Sequence, residues 1–356
     1  PLFCYLVDCG FNASIINPII THSTKNGNIR KVKNDKIDSK GIAKLGLSKD
    51  IPVSQFPAKL VLELRSLTRK YYDLTDERSA HINKLKGDLH TVFPQYLDVF
   101  CDVTGKTSTM ILRQYGTPDK ILRGHKKTMI EKISKASRKG LAKASERYEK
   151  LCAAANAAKT FGCQIDSIYF NIFLTLDLVE KLDSALDSIL NRIRQLITFN
   201  KNEKFIQQIK LLNTIPGVGF LTAVTIMCEI GDFSAFRNPK QLFAYFGLDP
   251  EVNESGKFVG TQLHMSKRGS RIARRAIFAV ALASIRTKRN GEGINPYLRK
   301  YYELKSGQKP KMVAIGAVMH KVCNIVFAVL RDEKAFELRS PEEHCKQYQR
   351  PALAAA

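Results

Sequence analysis

The sequence predicts an α/β N-terminal part, then a long α-helical coiled coil, then a mostly α-helical C-terminal domain. Residues 2–10 are apolar and end at a glycine, and a short apolar run follows, as in a helix before a buried strand. Segments 58–93 and 166–199 carry apolar side chains at heptad spacing, and helical patterns with glycine-bearing turns follow. We therefore expect domains at 1–57, 58–205 (with a basic helical insertion at 95–165) and 206–336, and a tail at 337–356.

The composition indicates what kind of molecule the chain binds. The chain has 356 residues, enough for two or three domains, and a formal net charge of +24. Such a basic excess predicts a polyanionic partner, above all nucleic acid, with an anionic membrane surface as the alternative. We find no secretory signal pattern and no apolar run near the ~20 residues of a spanning helix, so no membrane is expected. The eight cysteines form no CxxC pair, which favours reduced cytoplasmic thiols over disulfides or a zinc site.

The N-terminal segment resembles the second half of an α/β unit. A helix over 2–10 is expected to end at Gly10, and the residues from Phe11 to Ile16 predict a short buried strand. The chain opens in mid-element without a methionine, so we expect the natural N-terminus to lie upstream. A polar, basic stretch from Thr21 to Lys33 then predicts a loop near phosphate, with Arg30, Lys31 and Lys33 as contacts.

Two carboxylates, Asp35 and Asp38, follow at a predicted helix start. Residues three apart project from one face of a first helical turn, and two such carboxylates can hold Mg²⁺ through oxygen ligands. The alternative is purely structural, because aspartate is favoured at helix N-termini for capping and for its interaction with the helix dipole.

Two heptad segments predict the coiled coil. In 58–93 the apolar positions alternate by four and three, with an offset after Arg78 that resembles a stutter, and 166–199 repeats the pattern. Periodicity leaves open whether the two helices pair within one chain or across a dimer. The basic segment between them, 95–165, is interpreted either as a solvated face or as a phosphate contact without base readout.

A glycine-bearing turn lies at 215–219, between two predicted helices. Helix-hairpin-helix modules use such turns to present backbone N–H groups to a phosphate, which would place Gly217 and Gly219 at nucleic acid. A packing hairpin without a ligand explains the pattern equally well.

One serine, Ser255, stands out in the stretch 246–278. The residues Asn253 to Gly256 predict a tight turn that exposes the hydroxyl, and a basic helix follows. An exposed hydroxyl facing guanidinium groups suits attack on a phosphodiester, because arginine stabilises developing phosphate charge. The bland alternative is a surface loop beside a solvated basic helix. The basic residues concerned are Lys267, Arg268, Arg271, Arg274 and Arg275.

Together these segments resemble a known family, the bacterial insertion-sequence transposases that join a RuvC-like DEDD domain to a C-terminal serine transposase domain. They are the bridge-RNA-guided recombinases. The matching motifs occur in the family's order and cover about 1–93 and 166–336. They are Ile16-Asn17-Pro18, Lys33 to Asp38, a coiled coil, Ile215 to Gly219, Glu229 to Phe233, Phe246-Gly247-Leu248, Glu254-Ser255-Gly256 and Ser266 to Gly269.

The resemblance implies a fold and a chemistry. It implies a RuvC/RNase H-like α/β domain without its N-terminal part, with Asp35 and Asp38 matching the last two acids of the Mg²⁺-binding DEDD set. The first two acids, an Asp and a Glu, would lie upstream of Pro1. Ser255 matches the serine that attacks DNA and forms a phosphoserine link. The implied partners are element-end and target DNA, a structured guide RNA and further copies in a homodimer or homotetramer, near the nucleoid.

Two other functions compete with this one. A RuvC-like nuclease would cut DNA with metal-activated water, leaving Ser255 a loop residue. A non-catalytic nucleic-acid-binding protein would use only the glycine hairpin and the basic helices.

Overall fold

The structure is a computed structural model with two compact units, Pro1–Lys59 and Leu60–Ala356. It describes residues 2–11, 13, 35–48, 58–163, 165–201, 203–250, 254–255, 258–259, 264–340 and 342–343. For residues 3–4, 35–38, 48, 254–255 and 258–259 it describes the backbone alone.

The described part of the first unit contains two helices, and the next helix begins at its last residue. Helix α1 (Leu2–Asp8) ends as predicted, because Gly10 takes φ +83°, and the N–H groups of Gly10 and Phe11 donate to the carbonyls of Val7 and Leu6 at 2.9 Å each. Phe11 is thus part of this helix cap and 63% exposed, not the start of the predicted buried strand; of the rest of that strand only Ala13 is described, and it is not in a strand. Helix α2 (Asp35–Ser48) begins at the predicted place. The α/β character of this domain is therefore not confirmed.

The second unit contains thirteen further helices in its described residues. These are α3 (Lys59–Val92, which begins one residue earlier), α4 (Tyr96–Val99), α5 (Lys106–Gln114), α6 (Pro118–Arg123), α7 (Lys126–Ser137), α8 (Leu141–Phe161), α9 (Asp166–Phe199), α10 (Lys204–Leu212), α11 (Phe220–Ile230), α12 (Pro239–Tyr245), α13 (Arg271–Ser284), α14 (Pro296–Ser306) and α15 (Lys311–Asp332). A 3₁₀ turn (Phe233–Ala235) and a small hairpin of β1 (Glu254–Ser255) and β2 (Phe258–Val259) complete it.

The two heptad segments are the long helices α3 and α9, each of 34 residues. They run antiparallel within the chain, since the Tyr169 hydroxyl donates to the Val92 carbonyl at 3.4 Å and Arg78 pairs with Asp183 further along. Buried apolar residues recur along both helices, among them Leu64 and Leu85 of α3 and Ile172 and Val179 of α9. The two helices are therefore bonded to each other within one chain, and the coiled coil itself stays a prediction.

The insertion forms its own helical core at one end of this pair. Helices α4 to α8 bury Tyr96, Ile111, Ile133 and Leu151 among others, against Leu85 and Leu89 of α3. The Tyr96 hydroxyl lies 2.9 Å from the Ser108 hydroxyl, so the one polar atom of this buried ring has a partner.

The other end of the pair supports the C-terminal core. Helices α10 to α15 enclose fully buried residues such as Val224, Phe246, Ala276 and Val322. Helix α15 is long and apolar enough to span a bilayer by length and composition, contrary to our expectation that no apolar run approaches that length. Ten of its residues are buried against its neighbours, which identifies it as the central helix of this core.

Candidate active site

Ser255 is the last residue of β1 in the small hairpin. It pairs with Phe258, and Glu254 pairs with Val259, so the chain reverses after Ser255. The predicted turn around Ser255 is therefore wrong by about two residues, because Glu254 and Ser255 are already in the strand. Ser255 therefore directly precedes the reversal of the hairpin.

The root of the hairpin is tied by backbone and side-chain bonds. The N–H of Lys267 donates to Gly247 at 3.1 Å, and the N–H of Ser266 donates to the carbonyl of Asp249 at 2.8 Å. The Ser266 hydroxyl also donates to the Asp249 carboxylate at 2.6 Å. The two segments that flank the hairpin in the sequence, 247–249 and 266–267, are thus bonded to each other.

Gly269 makes this root possible. A Cβ atom at this position would lie 2.3 Å from the Tyr245 carbonyl oxygen and 2.7 Å from the Gly247 nitrogen. Only glycine permits the end of α12 and the start of α13 to approach this closely. The predicted motif Ser266 to Gly269 is therefore a structural junction as well as a basic segment.

A buried carboxylate, Glu229, anchors the start of α13. It lies at the end of the apolar helix α11, and its side chain is only 3% exposed. Arg69 of α3 donates two hydrogen bonds to it at 2.9 Å each, and the Ser270 hydroxyl donates a third at 2.7 Å. Ser270 is also the N-cap of α13, where its oxygen accepts from the N–H of Ala273 at 3.1 Å. One carboxylate therefore connects α3, α11 and the residue where the hairpin meets α13.

The electrostatics of Glu229 favour its charged form. Burial alone would raise its pKa, but the hydrogen bonds from Arg69 and Ser270 and the positive charge of Arg69 bring the pKa below its ordinary value. The same bond to Glu229 raises the pKa of Arg69. Nearby, Arg65 donates to the Cys228 carbonyl at 2.7 Å and the Tyr245 hydroxyl to the Glu229 carbonyl at 3.1 Å. Polar groups of this junction are thus paired, as burial requires.

The bonds around Glu229 were not predicted from the sequence. Glu229 appeared only as a member of the Glu229 to Phe233 motif, without a role. The sequence did carry a signal. Glu229 is the single acid in the apolar run from Phe220 to Ile230, and a buried acid needs a partner that neutralises its charge. The partner, Arg69, is 160 residues away in the sequence, so the residues around Glu229 could not identify it.

The five predicted basic residues divide into two groups. Arg274 donates to the carbonyls of Phe246 at 3.0 Å and Gly269 at 3.4 Å, and Arg275 pairs with Asp76 at 2.7 Å while lying 4.8 Å from the Tyr72 ring centre. Both guanidinium groups thus have internal partners. Three exposed cations remain beside the hairpin root, and within the described residues they form no ion pair; they are Lys267, Arg268 and Arg271.

The two glycines of the predicted phosphate turn differ in their surroundings. Gly217 has φ +97°, and a Cβ there would lie 2.5 Å from the Ser284 hydroxyl, which donates to the Pro216 carbonyl at 3.0 Å. Gly217 is therefore required for packing against α13. Gly219 is exposed, faces open space and is the N-cap of α11 without a side-chain cap. The turn joins two helices as predicted, and its contact with nucleic acid stays a prediction.

Asp35 and Asp38 begin α2 in the first unit, whereas Ser255 belongs to the second. Their spacing on a helix places both on one face of its first turn, while their side chains lie outside the described residues. The predicted contacts Arg30, Lys31 and Lys33 also lie outside them.

Comparisons with known proteins agree with the order of these parts. A DEDD family model described as a transposase matches residues 1–94, and a model described as transposase IS116/IS110/IS902 family matches residues 209–303. The insertion element IS110 uncharacterized 43.6 kDa protein of Streptomyces coelicolor is 23% identical over 80% of this chain and 66% of its own length. The pilin gene-inverting protein of Moraxella bovis is 30% identical over 49% of this chain and 52% of its own length.

A third relative is the transposase for insertion sequence element IS1111A of Coxiella burnetii, 26% identical over 51% of this chain and 50% of its own length. The chain thus spans between half and two thirds of the length of these three relatives. With a DEDD transposase domain followed by the IS116/IS110/IS902 transposase domain, the chain belongs to the IS110/IS116/IS902 transposase family.

Proposed function

We propose that the chain cuts and rejoins the DNA of an insertion sequence through a covalent phosphoserine formed at Ser255. The observation that supports this most is the position of Ser255 at the reversal of a hairpin, in a stretch of chain that is followed by the exposed cations Lys267, Arg268 and Arg271. The named relatives, two insertion-element proteins and a gene-inverting protein, support a recombinase over a binding protein without activity.

The proposed reaction replaces one phosphorus–oxygen bond with another. The Ser255 oxygen attacks phosphorus, the bond from phosphorus to one sugar oxygen breaks, and that oxygen gains a proton while the serine proton passes to a base. The covalent link retains the energy of the phosphodiester, so a second sugar hydroxyl can displace serine and rejoin strands without ATP. Exposed guanidinium and ammonium groups stabilise the negative charge that builds on the non-bridging oxygens.

The proposed metal site rests on residue chemistry. Asp35 and Asp38 supply hard oxygen ligands from one helical face, which is the donor type that Mg²⁺ prefers, and the DEDD domain match supports a divalent ion. Mg²⁺ bound there would orient the scissile phosphate and neutralise its charge. Further copies of the chain, in a homodimer or homotetramer, are proposed partners. A structured guide RNA is the remaining proposed partner.

The decisive experiment looks for protein covalently attached to DNA. The protein is incubated with Mg²⁺, element-end DNA and RNA transcribed from the element's flank, then denatured, and the attachment is mapped by peptide mass. We expect an adduct on Ser255 that is absent from Ser255→Ala and Asp35→Asn proteins, with DNA affinity retained in both.

Ser188→Ala is the control for loss of a serine hydroxyl elsewhere, since Ser188 lies on α9 and donates to the Ser184 carbonyl of the same helix at 2.9 Å. It should still form the adduct at Ser255. Cleavage without any adduct would assign the reaction to metal-bound water and remove Ser255 from the mechanism. Absence of both cleavage and adduct, with DNA bound, would leave a binding protein.

A further inference from the structure

The inserted helical domain carries an exposed basic face that the proposed reaction does not use. Between residues 120 and 143 the chain has nine lysines and arginines and one acid, Glu131. We define the basic face as five of these cations, all exposed, on the outer side of α7, in the α7–α8 turn and in the first turn of α8. They are Lys127, Lys135, Arg138, Lys139 and Lys143.

The fold of α7 explains why this face points to solvent. Met129 and Ile133 are fully buried in the core of the insertion. Lys127 and Lys135 lie on the opposite side of the same helix, eight residues apart and therefore about two turns from each other. The core thus holds α7 in an orientation that fixes its lysines outward.

These cations are unpaired within the part of the chain that the structure describes. Elsewhere in the insertion cations do find carboxylates: Lys150 pairs with Glu146 at 2.7 Å and Lys159 with Asp119 at 2.8 Å. Glu131 stands four residues from both Lys127 and Lys135, the usual spacing of a helical ion pair, yet it pairs with neither. The face therefore keeps nearly its full charge for a partner.

Two of the lysines occupy positions that folding alone disfavours. Lys127 lies in the first turn of α7 and Lys143 in the first turn of α8, and neither helix has an acid in that turn or a side-chain cap. Cations at a helix N-terminus oppose the helix dipole, and together with the free N–H groups they create a positive potential suited to an anion. An anionic partner would offset this unfavourable placement.

We propose that the basic face binds the phosphate backbone of double-helical DNA, independently of sequence, as a second contact separate from the C-terminal domain. Two tyrosine rings of the insertion are half-buried beneath lysines, since Lys126 lies 5.8 Å from the Tyr148 ring centre and Lys132 lies 5.7 Å from that of Tyr115. A base could not stack freely on either ring, which favours a duplex over single strands at this face.

The exposed Phe161 does not alter that conclusion. It stands at the other end of α8, about 27 Å along the helix from Lys143. The choice of DNA over duplex RNA rests on the proposed function, because a transposase has to hold DNA.

The test compares two charge-matched variants of the full chain. Lys127→Gln/Lys135→Gln removes two charges from the basic face, and Lys150→Gln/Lys159→Gln removes two exposed but ion-paired charges from the same domain. Fluorescence anisotropy with a labelled DNA duplex of arbitrary sequence, in EDTA and over about 0.05 to 0.3 M KCl, gives affinity and salt slope. Circular dichroism checks that both variants keep their helical content.

We expect the basic-face variant to bind roughly tenfold more weakly near 0.15 M salt, with the slope of log affinity against log salt reduced by about 2. The control should change affinity by less than about threefold. Equal losses in the two variants, no loss in either, or a loss seen only with an RNA duplex would overturn the proposal. Binding in EDTA needs no serine chemistry, so failure here is distinguishable from failure at Ser255.

Discussion

The C-terminal domain and the insertion are both basic, but they use their cations differently. Around the hairpin root, arginine side chains make internal bonds: Arg69 to Glu229, Arg274 to the Phe246 carbonyl and Arg275 to Asp76. On the basic face of the insertion, five cations extend into solvent without an ion pair among the described residues. Net charge alone does not distinguish these two regions.

The difference follows from side-chain chemistry. A guanidinium group has several donors in a fixed plane and can satisfy two acceptors, so arginine suits the junction of α3, α11 and α13. Lysine is a strongly hydrated point charge on a flexible stem, and four of the five basic-face cations are lysines. Counting basic residues therefore predicts a polyanionic partner, whereas the pairing of each residue decides where that partner can bind.

The largest effect should come from breaking the buried pair. Arg69→Met leaves the Glu229 carboxylate buried with only Ser270 as a side-chain donor, which should lower the free energy of unfolding by about 3 kcal/mol. Urea denaturation followed by circular dichroism measures it. Lys159→Met in the insertion breaks an exposed pair and should change the free energy of unfolding far less. Equal costs would mean that the buried network is no more structural than a surface pair.

A pH series should sharpen this contrast. Because the pKa of Glu229 is lower in the folded protein than in the unfolded chain, the unfolded chain binds the extra proton first as pH falls. The stabilisation is complete above the unfolded value of about 4.3 and is lost as pH falls through the folded pKa. Wild type should therefore lose its stability advantage over Glu229→Gln below pH ~4, measured by urea denaturation at each pH. A constant difference at all pH values would contradict a depressed pKa.

Much of the fold could be predicted, because it follows from local patterns. Heptad spacing gave the two long helices, and Gly10 gave the end of α1 through its positive φ. The strand expected from Phe11 was wrong at its start, because an apolar residue after a helix-ending glycine can equally complete the helix cap. Short apolar runs do not distinguish these outcomes.

The candidate site was predictable only in part. Ser255 and the exposed cations that follow it in the chain could be selected because a hydroxyl close in sequence to guanidinium groups has a chemical meaning. Arg274 and Arg275 lie on the same helix as Arg271, but Arg274 binds the Phe246 carbonyl and Arg275 binds Asp76. The spacing of residues along one helix cannot reveal such partners. Long-range polar pairing is set by the packing of whole helices, and it was invisible until the fold was known.

The smallest effect tests that division within one helix. Arg271→Gln and Arg275→Gln each remove one charge from α13, but Arg271 is exposed without an ion pair among described residues, whereas Arg275 binds Asp76 and lies over Tyr72. We expect Arg271→Gln to weaken binding of element-end DNA about fivefold near 0.15 M salt and to reduce the salt slope by about 1.

Arg275→Gln should change that affinity by less than about twofold and lower stability instead, by no more than about 1 kcal/mol, because a half-exposed pair and a ring contact are lost. Anisotropy titrations and urea denaturation on both variants separate the two effects. If Arg275→Gln weakened DNA binding as much as Arg271→Gln did, Arg275 would have to leave Asp76 for phosphate in the complex. Internal pairing would then be a resting arrangement of these arginines, and the distinction between the two regions would hold only for the protein without DNA.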